Sequence, residues 1–133
     1  MKRVTIAIPT VSSAQNQYVS PHFGRAPLFT VVEIEEHGFR VTKTIRNEYV
    51  DHARGRGHWI IEELAKHGVE AVIVASIGHG AFHHLRSLGI KVYVLPSKEK
   101  GLYSLEEAVK MLIENKLSEA LEPIEHGEHL HHH

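Results

Sequence analysis

One pattern constrains this chain more than any other: an apolar helix face, a glycine, Val or Ile, a charged residue, and then an apolar strand. It appears first as Ile60, Ile61, Leu64 and Ala65 ahead of Gly68-Val69-Glu70, with the strand running from Val69 to Ala75. It returns as Ala81, Phe82, Leu85 and Leu88 ahead of Gly89-Ile90-Lys91, with the strand running from Ile90 to Leu95. The i, i+3, i+4 spacing lets each helix bury one side, and the glycine supplies the left-handed cap that other side chains resist. Two copies make consecutive βα units rather than a solenoid. The connection from Ser76 to Ile90 is long enough for a right-handed parallel crossover.

The rest of the chain is read around those units. Val4, Ile6 and Ile8 alternate, with Ala7 also apolar, which predicts a strand buried on both faces and ended by Pro9. Thr10 to Pro27 is rich in Ser, Gln, Asn and Pro and reads as a long loop. Leu28 to Ile34 is β-branched, and Phe39, Val41 and Ile45 alternate with polar residues across Glu35-Glu36-His37-Gly38, which predicts a hairpin with a half-exposed second strand. Asn47 to Gly57 reads as a second loop, polar, basic and flexible without a ligand. Ser104 and Glu107 form an S-x-x-E capping box ahead of Leu105, Ala108, Val109, Leu112 and Ile113, the apolar stripe of a last helix. The expected fold is α/β: a three-layer α/β/α domain with a mixed five-stranded sheet, an antiparallel hairpin on one side and parallel strands on the other.

The chain has 133 residues, which fits one domain and one apolar core that needs neither metal nor cofactor to fold. That domain is expected over residues 1–121, with a His-rich tail over 122–133. Five of the 13 His lie in the last eight residues, and the run reads equally as native or as the remnant of a purification tag. Cys is absent, so disulfides, thiolate metal sites and Cys nucleophiles are excluded. Lys and Arg total 15 against 16 Asp and Glu, a balance that offers no general attraction to nucleic acid or anionic lipid. The opening MKRVTIAIPT is too short an apolar run for a signal peptide and no apolar stretch of 18 residues exists, so a cytoplasmic protein without a membrane partner is expected.

Ligands of open α/β sheets sit beyond the carboxyl ends of the parallel strands. Three segments leave such ends here: Pro9 onward, Ser76-Ile77-Gly78-His79-Gly80, and Pro96 to Gly101. Gly78-His79-Gly80 opens a helix, where backbone N–H groups can meet an anion. The same glycines also suit a plain strand-to-helix turn. Ser20-Pro21-His22-Phe23-Gly24-Arg25-Ala26-Pro27 holds a His, an Arg and a Gly between two prolines, as a stiffened binding loop would. An ordered connector with Phe23 buried and Arg25 solvated is the plainer alternative. His52 and His58, with Arg54 and Arg56 between them, form a cationic loop able to close over an anion, or a solvated basic loop. His37, His67, His83 and His84 read as structural or surface residues. No G-x-S-x-G, Walker-A or G-x-G-x-x-G pattern occurs. A hydrolase using His22 or His79 as base has no recognisable partner carboxylate.

Taken together, Ile8-Pro9-Thr10, the HFGRAP segment His22 to Pro27, the His-bearing loop 47–57, Val72-Ile73-Val74 with Ile77-Gly78-x-Gly80-Ala81-Phe82, and Gly89-Ile90-Lys91-Val92-Tyr93 resemble the dinitrogenase iron-molybdenum cofactor biosynthesis family. That family comprises small cofactor carriers, nitrogenase accessory domains and orange-type molybdenum-copper proteins among them. HFGRAP is its specific element, and the likeness runs from Val4 to about Leu117. The resemblance implies a ribonuclease-H-like fold and noncovalent binding, storage or transfer of an anionic, molybdenum-containing metal-sulfur cluster, with no enzymatic step. Donor or acceptor proteins for the cluster would be the partners, and a homodimer stays open. His22, Phe23, Gly24, Arg25, His52, Arg54, His58, Gly78, His79 and Gly80 are the candidate site, with His22, His52 and His58 as candidate metal ligands. Such clusters bring their own sulfide and negative charge, so Arg, His and backbone N–H groups can hold them without Cys. Two other classes remain beside this one: a small His-dependent hydrolase, and a regulatory module for a small anionic metabolite.

Overall fold

The computed structural model describes residues 3–13, 16–48 and 56–124, with no side-chain description at 56–58. In chain order the elements are β1 (Val4–Ser13), β2 (Asn16–Val19), β3 (Leu28–Glu35), β4 (Gly38–Arg46), α1 (Arg56–Lys66), β5 (Ala71–Val74), α2 (His79–Ser87), β6 (Lys91–Val94), α3 (Leu105–Ile113) and β7 (Ser118–Glu119). One mixed sheet runs β4-β3-β1-β5-β6-β7, with β2 paired to β1 beside that path. β1, β5 and β6 are parallel, whereas β2, β3, β4 and β7 run antiparallel to their neighbours.

The glycine repeat has a direct physical cause. In both copies the glycine N–H reaches the carbonyl three residues back, Gly68 to Ala65 at 3.1 Å and Gly89 to Arg86 at 3.0 Å. The following Val69 or Ile90 N–H reaches five back, to Leu64 at 3.2 Å and Leu85 at 3.0 Å. That pair of bonds is the Schellman closure, and it needs the left-handed backbone seen at Gly68 (φ 74°) and Gly89 (φ 78°). Val69, Leu64, Ile90 and Leu85 are all buried in one cluster, so each cap is sealed by an apolar contact. Glu70 and Lys91 then enter the ladder, Glu70 N–H bonding Thr5 O at 2.8 Å and Lys91 N–H bonding Glu70 O at 3.0 Å.

Alternation along the strands divides the core by sheet face. Ala7, Phe29, Val31, Val72 and Val74 pack with Ile60, Ile61 and Leu64 of α1 and Phe82 and Leu85 of α2. Ile6, Ile8, Val32 and Ile73 pack with Ala108 and Val109 of α3 on the other face. At about 1.5–3 kcal/mol for each fully buried large aliphatic, these two faces supply most of the drive to fold. The capping box predicted for α3 is present, Ser104 Oγ accepting from Glu107 N–H at 3.0 Å and Glu107 Oε1 accepting from Ser104 N–H at 2.9 Å.

Three expectations are corrected. The sheet has seven strands, not five, because β2 and the two-residue β7 join it. Pro9 does not end β1, which continues to Ser13. The Pro9 carbonyl accepts from Ser20 N–H at 2.8 Å, so its amide edge points away from β3, where the missing N–H interrupts no bond of the β1–β3 ladder. Thr10 to Pro27 is accordingly not one long loop: its first part is the β1–β2 hairpin, in register Thr10 with Val19 through Ser13 with Asn16. Polar side chains hid this hairpin, although they also stabilise it, Gln17 Oε1 accepting from Thr30 Oγ1 at 2.7 Å and Thr30 Oγ1 lying 2.9 Å from Thr10 Oγ1. At the far end, Ile124 exchanges backbone bonds with Ile77, so pairing extends past residue 121.

Candidate functional site

Among the described residues of the first irregular stretch, 20–27 are left as loop, tied down at each end. Ser20 N–H bonds Pro9 O, and Asn47 N–H bonds Pro27 O at 2.9 Å. The buried Asn47 side chain donates to Ala26 O at 3.0 Å and to Gly24 O at 3.4 Å. Ser76, just past β5, donates its hydroxyl to Pro21 O at 2.7 Å. The loop therefore sits at the carboxyl end of the parallel strands, as strand topology requires of a ligand loop.

Within it the side chains divide by direction. Phe23 is buried, edge-on to Phe29 with ring centroids 5.0 Å apart, and shares a cluster with Ile77 and Phe82. Ala26 is buried beside it, whereas His22 and Arg25 are exposed and Gly24 is half-buried. Phe23 thus anchors the loop from below, and what the loop presents outward is an imidazole and a guanidinium. The connector alternative foresaw the same burial of Phe23 and exposure of Arg25, so the case for a ligand loop rests on where the loop is pinned.

The Ser76 hydroxyl joins this loop to the segment that opens α2. Gly78 is the helix N-cap, extended at φ −84° and ψ 176°, and no side chain caps it. The first bond of the helix runs from Phe82 N–H to Gly78 O at 3.0 Å, so the N–H groups of His79, Gly80 and Ala81 precede any intrahelical acceptor. No acidic residue lies in that first turn. His79 and Gly80 are exposed, and a Cβ placed on Gly80 would meet nothing within 4 Å. A hydrogen-bonded loop, the exposed Arg25 guanidinium and a helix start without a side-chain cap bond together make a surface suited to a negatively charged ligand.

The structure thus joins the neighbourhoods of His22, Gly24 and Arg25 to those of Gly78, His79 and Gly80. His52 and Arg54 lie outside the described residues, as does the expected flexible part of their loop, and His58 is described only as a backbone position in the first turn of α1. Among the described residues no group of three or more His, Asp or Glu converges on a point. Of the histidines set aside, His84 lies 2.9 Å from Glu62 across the α1–α2 contact, and His67 Nδ1 lies 2.8 Å from Glu63 O. Ser76 and Asn47 position the site and were missed as such. One follows an apolar strand and the other follows Arg46 without any motif, and their partners are backbone carbonyls 55, 21 and 23 residues away.

Fold and candidate site define a small α/β domain that offers an exposed guanidinium, imidazoles and a helix start without a side-chain cap bond at one sheet end. The chain belongs to the dinitrogenase iron-molybdenum cofactor family, which it matches over residues 3–115. It is 34% identical over 117 residues to an uncharacterised protein of Methanocaldococcus jannaschii, covering 88% of this chain and 92% of that one. Among solved structures it is similar to the apo form of the orange protein of Desulfovibrio gigas, with a TM-score of 0.75, 25% identity, and 91% and 96% of the two chains covered. It is also similar to a candidate NifB protein from Thermotoga, with a TM-score of 0.68, 29% identity, and 93% and 99% covered. Among the described residues no helix is long and apolar enough to cross a membrane.

Proposed function

We propose that this protein is a noncovalent carrier for an anionic, molybdenum-containing metal-sulfur cluster, of the iron-molybdenum cofactor or molybdenum-copper kind, which it stores or passes between donor and acceptor proteins in the cytoplasm. The observation that carries the reading is the Ser76–Pro21 bond, which seats the His22–Arg25 loop beside the uncapped start of α2. Arg25 supplies permanent charge and a fixed fork of donors. His22 donates to sulfide or ligates copper through a ring nitrogen. The N–H groups at Gly80 and Ala81 receive the cluster's negative charge. His52, Arg54 and His58 of the 47–58 segment complete the proposed site, with His52 and His58 joining His22 as metal ligands. The carrier performs no chemical step of its own.

We take the fold to be ribonuclease-H-like, on the strand order β4-β3-β1-β5-β6 with β1 at its centre and the neighbouring β3 antiparallel to it. The carrier unit is a single domain, which the His-rich residues 122–133 follow.

The test is reconstitution of the full chain with thiomolybdate and copper, followed by gel filtration with detection of the visible absorption band. The parent retains the band, Arg25→Lys retains less because the fork is lost, and the His22→Ala, Arg25→Ala double variant loses nearly all of it. Retention by the double variant equal to that of the parent would place the site elsewhere.

A further inference from the structure

Helix α2 carries a second arrangement, which pairs His79 of the candidate cluster site with His83, a residue outside it. His79 and His83 stand one turn apart, their ring centroids 5.9 Å from each other and their planes inclined by 33°. Both are exposed, and the His83 ring is braced edge-on against buried Phe82 at 5.2 Å. Imidazoles at i and i+4 lie on one face of a helix, the spacing with which helices offer two nitrogens to a single metal ion. We propose that His79 and His83 form a bidentate site for a divalent transition-metal ion, water completing its coordination.

The chemistry of the donors selects the ion. Two neutral nitrogens without a carboxylate exclude Mg²⁺ and Ca²⁺, which require oxygen ligands. The first turn of α2 has no acid, and the Glu62 carboxylate across the helix contact is engaged by His84. Imidazole pairs take Ni(II), Cu(II) and Zn(II), with Cu(II) bound most strongly. Both side chains are exposed, which leaves their torsions free to adjust to a shared ion. The positive end of the helix opposes a cation only weakly at a solvated position. An ion held there adds charge at the mouth of the anion site. This site does not depend on the cluster reading, because the ion binds without sulfide.

Ile124 pairs with Ile77, two residues before His79, so the five histidines that follow it in sequence are a competing sink and must be silenced. Cu(II) alone is titrated into the full chain carrying His126→Gln, His129→Gln, His131→Gln, His132→Gln and His133→Gln, with no sulfide or molybdate present. The equivalent held at α2 should give an electron paramagnetic resonance pattern of two imidazole nitrogens and amide broadening centred on residues 79–83, separate from any copper taken by His22, His52 and His58. His79→Ala and His83→Ala should each leave one nitrogen and weaken binding about tenfold or more, the loss of an intramolecular second ligand. His37→Ala, in the β3–β4 turn, should change nothing. An unchanged affinity and an unchanged two-nitrogen pattern in both α2 variants would overturn the proposal. Thermal unfolding of the variants should match the parent, since both rings are exposed, and excludes misfolding as the cause of any loss.

Discussion

Helices α2 and α3 have the same length and the same backbone dipole, yet their N-termini are finished in opposite ways. At α3, Ser104 and Glu107 close a reciprocal box and Glu106 adds a second carboxylate to the first turn. At α2, glycine stands at the cap with no side-chain cap bond, and no acid is present in the first turn. The orphan donors are thus satisfied by a capping box at one helix and, among the described residues, left without one at the other. A satisfied terminus stabilises the fold by about 1 kcal/mol. An open one forgoes that stabilisation and keeps its charge available for a ligand, which is the use the proposed carrier function makes of it.

Exchanging the character of one terminus gives the largest expected effect. Gly80→Glu places a carboxylate where the cluster's charge is proposed to sit, and nothing near Gly80 obstructs it. Cluster retention should fall by about tenfold or more, since like charges brought together cost on the order of several kcal/mol. Thermal stability should hold or rise by about 0.3–1 kcal/mol from the helix dipole. Opposite signs for binding and stability, read by gel filtration and thermal melting, would sharpen the contrast, and equal retention would break it.

Asn47→Ala should come next. It leaves the buried carbonyls of Ala26 and Gly24 without this donor, and a lost buried partner costs about 1–3 kcal/mol. Denaturant unfolding should show the loss, and amide exchange should rise within residues 22–27. If exchange in the loop stays at the parent's level, Asn47 does not hold it.

Ser104→Ala is expected to cost about 1 kcal/mol through loss of the α3 cap while leaving cluster retention unchanged. A change in retention would show that α3 takes part in binding after all.

The smallest effect is on pH. The Glu107 carboxyl is held below its ordinary value of 4.5, chiefly by the hydrogen bond from Ser104 N–H and further by Lys98. A lowered folded pKa means that this contribution is fully present above the ordinary carboxylate value and is lost as pH falls through the folded one. The group is well solvated, so the loss is small. Glu107→Gln should flatten the acid limb of a stability profile measured between neutral pH and pH 3, and an unchanged limb would show that the box adds no charge-dependent stability.

Much of this was legible in the chain, and the reason is local. The Gly68 and Gly89 caps, the α3 box, the buried parallel strands and the exposed second hairpin strand each follow from residues within a few positions of one another, where propensity and periodicity act. The binding surface was legible only in outline. HFGRAP identified the loop, and its two prolines marked it as stiff, but Phe23 was grouped with the residues that meet the ligand until its burial against Phe29 turned it into the loop's anchor. The β1–β2 hairpin escaped notice because Pro9 and a run of polar residues break every local strand rule, and the backbone partners that override those rules lie on other strands.

By itself, then, the sequence determined the βα units, their caps, the strands that must be buried and the family loop, because each is set by short-range sterics and by which faces are apolar. Tertiary structure alone decided that β1 runs through Pro9, that β2 and β7 complete a seven-stranded sheet, and that Ser76 and Asn47 hold the loop at the start of α2. The Asn47 and Ser76 bonds join groups 21 and 55 residues apart, and the β1–β2 pairing, though it joins residues as near in sequence as Ser13 and Asn16, extends a β1 that is itself held against β3, so this geometry exists only once the sheet has brought the strands side by side.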